Sequence, residues 1–216
     1  MTPQFPDPLV VMALELESQR LFEQAGVPVL YTGVGKINAT WALTRRLGDY
    51  RQASRPMPLI LNFGTTGSRC FPTHTLIACQ AFVQHDMDVT GLGVPRGTTP
   101  YDDTPPRLEF PIAFPTLMQA TCGSGDCFQT GEPTLPCQVV DMEAYALAKV
   151  CRLEGARFAC VKYVTDGADH AAASDWQGNL HRAAEQFLLV YRELLSREPA
   201  SPRNEDGLPP PRERRC

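Results

Sequence analysis

The sequence predicts an α/β domain, a three-layer sandwich with a mixed, largely parallel central sheet. Short apolar, β-branched runs alternate with longer stretches of helical periodicity, which is typical of strands connected through helices. Glycine-rich turns follow several of the strand-like runs, as they do at ligand-binding strand ends in such sheets. The chain has 216 residues and is 43% hydrophobic, so it can bury one sizeable core.

The predicted domain organisation has three parts. Residues 1–8 are an extended, proline-containing lead-in, residues 9–196 form a single domain, and residues 197–216 form a disordered tail without a core-forming pattern. The apolar run 9–14 is too short to span a membrane, and no basic flank precedes it as a signal peptide requires. A net charge of −4 gives no electrostatic footprint for nucleic acid. We therefore expect a small-molecule ligand.

The eight cysteines indicate a reducing compartment. They include no C-x-x-C pair, and Cys79, Cys151 and Cys160 lie inside apolar runs. Such positions favour buried free thiols over a disulfide framework. We expect a cytoplasmic protein.

In the first half of the chain, the residue pattern predicts four strands and one helix. Apolar and β-branched runs predict the strands, and the helix follows the second strand through a glycine turn. The predicted bounds are Leu9–Leu14, Val27–Thr32, Ile37 to about Leu47 (the helix), Leu59–Asn62 and Thr75–Phe82.

Two glycine-rich turns follow predicted strands. Gly33-Val34-Gly35-Lys36 leads into the first helix, and Phe63 to Ser68 follows the third strand. Such turns let backbone amides approach an anion or a sugar, although the spacing of a dinucleotide or phosphate loop is absent. The next loop contains scattered acidic residues and a histidine, which are not spaced as in a calcium or zinc loop, so we expect no metal.

The second half of the chain predicts two long helices around a buried strand. Asp141 is the expected N-cap of a helix from Met142 to Leu153, which Gly155 closes. A strand from Phe158 to Val164 then places Asp166 at its carboxyl end. A short helix or strand is expected at Phe114–Thr121, and the apolar face of Asn179–Leu195 predicts a packing helix.

Three carboxylates near the ends of predicted strands and helices invite a functional interpretation. Ligands of open α/β sheets bind outside the carboxyl ends of strands, which is where Asp166 lies. Glu143, in the first turn of an apolar helix, can instead serve the helix dipole. Glu17, after the first strand, can equally belong to a solvated turn and helix start. The residue pattern alone leaves both readings open.

The strings DMEAYALA and VKYVTDGAD resemble the signature of the purine nucleoside phosphorylase and nucleosidase superfamily, most of all its methylthioadenosine/S-adenosylhomocysteine nucleosidases. The resemblance implies that Glu143 binds the ribose hydroxyls and that Asp166 protonates the leaving purine. The opening VVMALELESQ is similar to the family's first strand, and aligning them places the water-activating glutamate at Glu17.

Further motifs resemble the family in the same order along the chain. The resemblance implies that Gly35, Thr65, Met142 and Thr165 contribute to the substrate site. Ser-Gly-Asp-Cys-Phe resembles the base-binding segment, which implies that Phe128 stacks on the purine beside Gln129, where the family usually has an apolar residue. Only about fifteen residues separate the first strand from the glycine turn, so the sheet is expected to be smaller than usual near the N-terminus.

The implied activity is hydrolysis of the N-glycosidic bond of a purine nucleoside, with adenine as the expected base. The resemblance also implies a nucleoside phosphorylase-like catalytic domain that needs no cofactor and forms a homodimer. Two alternatives stay open: a phosphate-dependent phosphorylase, and a nucleoside-binding protein without catalysis on the same fold.

Lys162, inside an apolar strand, needs an anionic partner, and Asp126 or a neighbouring carboxylate is the candidate.

Overall fold

A computed structural model describes residues 8–127, 133–167 and 172–196, with the backbone alone for 172–178. The described residues form eight strands and five α-helices. Their bounds in chain order are β1 Leu9–Met12, α1 Glu15–Ser18, α2 Leu21–Gln24, β2 Val29–Tyr31, α3 Lys36–Gln52, β3 Leu59–Gly67, β4 Leu76–Gln84, β5 Arg107–Glu109, β6 Met118–Ser124, β7 Val139–Asp141, α4 Ala144–Glu154, β8 Arg157–Asp166 and α5 Ala172–Ser196.

The strands form one mixed sheet, and five of them close into a ring. The strand order is β2-β1-β3-β7-β6-β4-β5, and β8 pairs with both β3 and β4. Strands β1, β2, β3 and β8 run parallel to one another, and so do β4, β6 and β7. The pairings β3/β7, β4/β5 and β4/β8 are antiparallel. The predicted mixed sheet is confirmed, whereas the three-layer arrangement stays a prediction.

Helices cover both faces of the strands that lead to the site. In β1, Leu9 and Val11 pack into a cluster with α3 and α4. Val10 and Met12, which point to the other face, pack into a second cluster with Phe187 of α5. A strand buried on both faces reads as a continuous apolar run, which explains the pattern that predicted it. Each such side chain contributes about 1.5–3 kcal/mol when fully buried.

Strand β3 continues through residues that the sequence predicted to be a turn. It extends to Gly67 because β8 pairs with it along its whole length and satisfies the backbone groups. Within the strand, position 64 requires glycine for a steric reason. A Cβ at this position would lie 2.8 Å from the Nζ atom of Lys162. The glycine therefore marks a close approach of a side chain.

The start of α4 also differs from the prediction. Asp141 is the last residue of β7, a strand that the sequence did not reveal, and Glu143 occupies the N-cap position. The Oδ2 atom of Asp141 still accepts a hydrogen bond from the amide of Ala144 at 2.9 Å, so the side chain caps the helix from two residues upstream. The predicted C-cap, Gly155, is confirmed at φ 65°.

The remaining elements agree with the sequence in type, with shifted ends. Helix α3 runs past Leu47 to Gln52, and the segment Phe114–Thr121 becomes strand β6, starting at Met118. The exceptions are α2 and β5, which the sequence did not predict, and α1, which it gave only as a helix start. Most of the lead-in and the predicted tail lie outside the described residues. No helix in the described ranges is long and apolar enough to cross a membrane.

Candidate active site

A cavity of about 250 Å³ opens beside the carboxyl ends of β1, β3 and β8. These strands are parallel, so the residues that follow β1 and end β3 and β8 meet at one edge of the sheet. The cavity also reaches β7 and the residues before α4. Among the residues that line it are six of the predicted site residues: Glu17, Thr65, Met142, Glu143, Thr165 and Asp166.

Glu17 is held in the cavity by four donors. Its Oε2 atom accepts hydrogen bonds from the amides of Ala13 at 3.0 Å and Leu14 at 3.2 Å. Its Oε1 atom accepts from the Thr65 amide at 2.9 Å and from the Thr65 hydroxyl at 3.0 Å. The side chain is buried, and it joins the end of β1 to β3. Both carboxylate oxygens are therefore fixed before any ligand arrives.

The one-turn helix that carries Glu17 ends in a strained backbone. Gln19 and Arg20 have φ angles of 47° and 60°, a left-handed conformation that costs residues other than glycine about 1–3 kcal/mol each. Tyr31 of β2 donates a hydrogen bond to the Ser18 hydroxyl at 2.5 Å, which ties this turn to the sheet. Such strain indicates that the surrounding contacts determine where Glu17 lies.

Asp166, the last residue of β8, also lines the cavity. The hydroxyl of Thr165 donates a hydrogen bond to its Oδ2 atom at 2.9 Å. Its carbonyl oxygen accepts from the amide of Ser68 at 3.0 Å, so the backbone is fixed to the segment after β3. Asp166 is 5% exposed. The carboxyl group of Asp166 therefore lies at the cavity on a backbone that is fixed in place.

Glu143 faces the cavity from the N-cap position of α4. Its Oε1 atom accepts a hydrogen bond from the amide of Gly35 at 2.8 Å. Gly35 has a φ of 92°, where a side chain would be strained, so glycine is required for this contact. Gly35 does not line the cavity but holds a residue that does. Burial, together with the nearby charge of Asp141, raises the pKa of Glu143 to about 8.

Replacing Glu143 with glutamine is expected to stabilise the protein at alkaline pH. Between its ordinary pKa of 4.5 and its folded value of about 8, the folded chain holds a proton that the unfolded chain has lost. This stabilising contribution is fully present below the unfolded pKa and is lost as the pH rises through the folded pKa. Glutamine cannot ionise. The Tm of the variant should therefore rise relative to the native protein between about pH 5 and about pH 9.

Thermal unfolding followed by fluorescence at several pH values measures this difference. Glu109→Gln is the matched control because that side chain is 69% exposed, on β5, and its Tm difference should stay constant. A Tm difference for Glu143→Gln that does not vary with pH would show that Glu143 does not hold a proton in the folded state.

A buried ion pair supports the floor of the cavity. Lys162 Nζ lies 2.7 Å from Asp141 Oδ2, and both side chains are 2% exposed. Burial alone would raise the pKa of Asp141, but Lys162 and the Ser124 hydroxyl hold it below its ordinary value. Burial would likewise lower the pKa of Lys162, but Asp141 raises it far above its usual range. The lysine is therefore charged and bound to one carboxylate.

Of the two partners expected for Lys162, Asp126 is wrong, and the alternative, a neighbouring carboxylate, is confirmed as Asp141. Asp126 instead accepts a hydrogen bond from the Lys36 amide at 2.8 Å, and its side chain is 44% exposed. Sequence reasoning treated Asp141 as a helix cap and missed its second role. Its position directly before Met142 and Glu143 was the available signal, since β7 brings all three to the cavity.

Acidic side chains dominate the ionisable groups of the described cavity lining. The described lining includes four carboxyl groups but no lysine, arginine or histidine. Lys162 is the nearby cation, and its ammonium is bound to Asp141. The four carboxyl residues are Glu17, Asp141, Glu143 and Asp166. This described lining offers an anion no cationic side chain and suits a neutral, hydroxyl-rich ligand.

The other predicted site residues cannot be placed in the same way. Phe128 and Gln129 lie outside the described residues, although Cys127, just before them, lines the cavity. Val34, Thr66 and Gly67 also line it, and sequence reasoning did not assign them individually. Among the described residues, no group of three or more histidine, cysteine, aspartate or glutamate side chains is arranged to hold a metal ion. The catalytic and binding roles stay predictions.

Comparisons with known proteins agree on one family. A family model described as the phosphorylase superfamily matches residues 20–196. The 5′-methylthioadenosine/S-adenosylhomocysteine nucleosidase of Baumannia cicadellinicola subsp. Homalodisca coagulata is 24% identical over 197 residues, which cover 78% of this chain and 80% of that protein.

Two solved structures of Helicobacter pylori proteins have the same fold. The structure of 5′-methylthioadenosine/S-adenosylhomocysteine nucleosidase with butyl-thio-DADMe-Immucillin-A matches with a TM-score of 0.73 at 20% identity, covering 88% of this chain and 99% of its own. The native futalosine hydrolase matches with a TM-score of 0.74 at 19% identity, covering 86% and 97%.

Proposed function

The chain belongs to the phosphorylase superfamily, and on that premise we propose that it hydrolyses the N-glycosidic bond of a purine nucleoside. One observation carries the proposal: Glu17, Glu143 and Asp166 line one cavity, and each is anchored from a different element. The similar proteins named above are a nucleosidase and a hydrolase, which supports hydrolysis over other reactions of the superfamily.

Asp166 is the general acid in this proposal. Cleavage moves the electron pair of the bond between the anomeric carbon and the base nitrogen onto the purine, which leaves poorly as an anion. Asp166 gives its proton to the free imidazole nitrogen of the base, so that the purine leaves neutral. The sugar is left as an oxocarbenium-like species.

Glu17 and Glu143 act on the sugar side. Glu17 takes a proton from a water molecule while the water oxygen forms a bond to the anomeric carbon, and the product is a reducing sugar. Glu143 binds the ribose hydroxyls and orients the sugar between the acid and the water. Thr65 and Thr165 position the two catalytic carboxyl groups, because each donates a hydrogen bond to one of them.

The cavity lining favours water over phosphate as the attacking nucleophile. A phosphorylase must hold an anion with cationic groups at the position of attack. The described lining includes no lysine, arginine or histidine, and Lys162 beside it is bound to Asp141. The alternative of a binding protein without catalysis is weaker, since simple binding does not require three carboxyl groups anchored around one cavity.

The substrates we propose are 5′-methylthioadenosine and S-adenosylhomocysteine, after the name of the curated relative. Cleavage of the first would place the protein in methionine salvage. Phe128 and Gln129 would contact the base, and Met142 the sugar. Gln129 offers an amide where the family usually has an apolar side chain, so other purines belong in the test.

An assay of base and sugar release from a panel of purine nucleosides tests the function. We expect adenine and a reducing sugar from at least one adenine nucleoside, at equal rates with and without phosphate. Release of no base from any member of the panel would contradict the enzyme assignment, and binding without release would favour the binding protein.

We further propose a cytoplasmic homodimer, which the family resemblance implies. The seven cysteines of the described residues are all free thiols, which suits a reducing compartment. A groove between α3 and α4 exposes the apolar side chains of Ile37, Trp41 and Leu153, which a second copy could cover. Sedimentation equilibrium measures the mass, and Trp41→Glu should yield monomers if this face is the interface.

A further inference from the structure

Lys36, the first residue of α3, connects two carboxylates from separate segments near the cavity. Its ammonium lies 2.5 Å from Asp86, which follows β4, and 3.2 Å from Asp126, which follows β6. The backbone amide of Lys36 also donates a hydrogen bond to Asp126 Oδ1 at 2.8 Å. The lysine side chain is only 14% exposed, so solvent screens these contacts less than those of a surface pair.

The two aspartates also contact each other. The Oδ2 atom of Asp86 accepts a hydrogen bond from the amide of Asp126 at 2.9 Å. This contact brings two negative side chains together, and the Lys36 ammonium between them offsets their repulsion. Without the lysine, the network would hold two carboxylates and no cation, and their mutual repulsion would destabilise the arrangement.

This network holds the segment that enters the proposed base-binding region. Asp126 directly precedes Cys127, which lines the cavity, and Cys127 precedes Phe128 and Gln129. The neighbouring amide, that of Gly35, holds Glu143 at 2.8 Å. Two consecutive amides at the start of α3 therefore anchor the sugar-side glutamate and the wall on the base side.

We propose that Lys36 is a positioning residue that fixes the base-side wall, at Asp126 and Cys127, relative to Glu143. The base and sugar subsites are thereby kept at the spacing of one nucleoside. This role rests on the proposed function. Lys36 itself contacts neither reacting group, since Glu17 is held by β1 and β3 and Asp166 by β8 and the segment after β3. Its loss should therefore affect nucleoside binding more than the chemical step.

Lys36→Met tests the proposal, with Lys149→Met as the matched control. Lys149 also pairs with an aspartate and is 24% exposed, but that aspartate, Asp102, lies between β4 and β5 and is not next to a residue that lines the cavity. For Lys36→Met we expect KM for the nucleoside and Kd for adenine, measured by calorimetry, to rise about tenfold or more, while kcat changes by less than about threefold. Lys36→Arg should restore most of the affinity because its guanidinium can bridge both carboxylates. The control should match the native protein.

Hydrogen exchange measured by mass spectrometry gives a readout that does not depend on activity. The Asp126 amide, bonded to Asp86 in the native chain, should exchange faster in Lys36→Met and at the native rate in Lys149→Met. Unchanged exchange would show that Lys36 does not hold this wall. Faster exchange with native adenine affinity would overturn the positioning role. A fall in kcat as large as the rise in KM, without rescue by Lys36→Arg, would also overturn it.

The same experiment separates this inference from the proposed function. Native protein that neither binds adenine nor cleaves any purine nucleoside would refute the function, and with it the base subsite. The exchange rates would still decide whether Lys36 fixes the segment. Sedimentation of each variant shows whether a change in assembly, rather than in the wall, alters affinity, since Lys36 and Lys149 also border the groove between α3 and α4.

Discussion

Replacing Asp166 with asparagine is expected to lower kcat for purine release by about 10³-fold, within the range found for loss of a general acid. The amide keeps the shape of the side chain and can still accept the hydrogen bond from Thr165. It cannot deliver a proton to the leaving purine. Adenine binding and Tm should change little, because the substitution removes neither burial nor the backbone contact to Ser68.

Steady-state kinetics and calorimetry on the purified variant measure this effect. Asp88→Asn is the control, because Asp88 undergoes the same chemical change while its exposed carboxylate pairs with Arg96 outside the cavity. Near-native turnover of an adenine nucleoside by Asp166→Asn would remove Asp166 from the acid role. The acid would then have to be sought among the other carboxyl groups of the lining.

Replacing Glu17 with glutamine is expected to reduce turnover by a similar factor, about 10³-fold. Glutamine cannot accept the proton of the attacking water. It also has one acceptor oxygen where Glu17 has two, so its amide group must face either the Thr65 amide or those of Ala13 and Leu14. Leaving buried donors without an acceptor costs about 1–3 kcal/mol, so this variant should also have a lower Tm.

Two controls separate the lost base from the lost stability. Glu15→Gln changes an exposed glutamate of the same short helix and should leave turnover and Tm intact. Glu17→Ala with added formate tests for chemical rescue, since a small carboxylate can enter the emptied position and accept the proton. Purine release that strictly requires phosphate and yields a sugar 1-phosphate would refute hydrolysis, whereas full activity of Glu17→Gln would remove Glu17 from the base role.

The sequence predicts the elements whose signal is local. β1 and β8 are buried on both faces, and α4 ends at a glycine in the left-handed conformation, so each has a pattern that can be read within a few residues. Family resemblance adds the functional meaning of Glu17, Glu143 and Asp166. The residue pattern alone leaves open whether Glu17 belongs to a solvated turn and whether Glu143 only serves the helix dipole.

Features that depend on distant residues were not predictable. β7 has three residues and exists because β3 and β6 flank it, so no periodicity reveals it. The glycines of β3 indicate a turn until Lys162 is known to occupy the space beside Gly64. The pairing of Lys162 with Asp141 follows from the closure of the ring, which no short stretch of sequence specifies.

The ring of five strands has a consequence for how the chain folds. It closes where β3 meets β8, and the contact between Asn62 and Cys160 joins residues 98 positions apart along the chain. Bringing such distant segments together costs chain entropy before the new contacts compensate for it, which slows folding. Thr65 and Asp166 lie on these two strands, so a partly folded chain has no complete cavity. Ligand binding can therefore stabilise only the fully closed ring and serves as a reporter of completed folding.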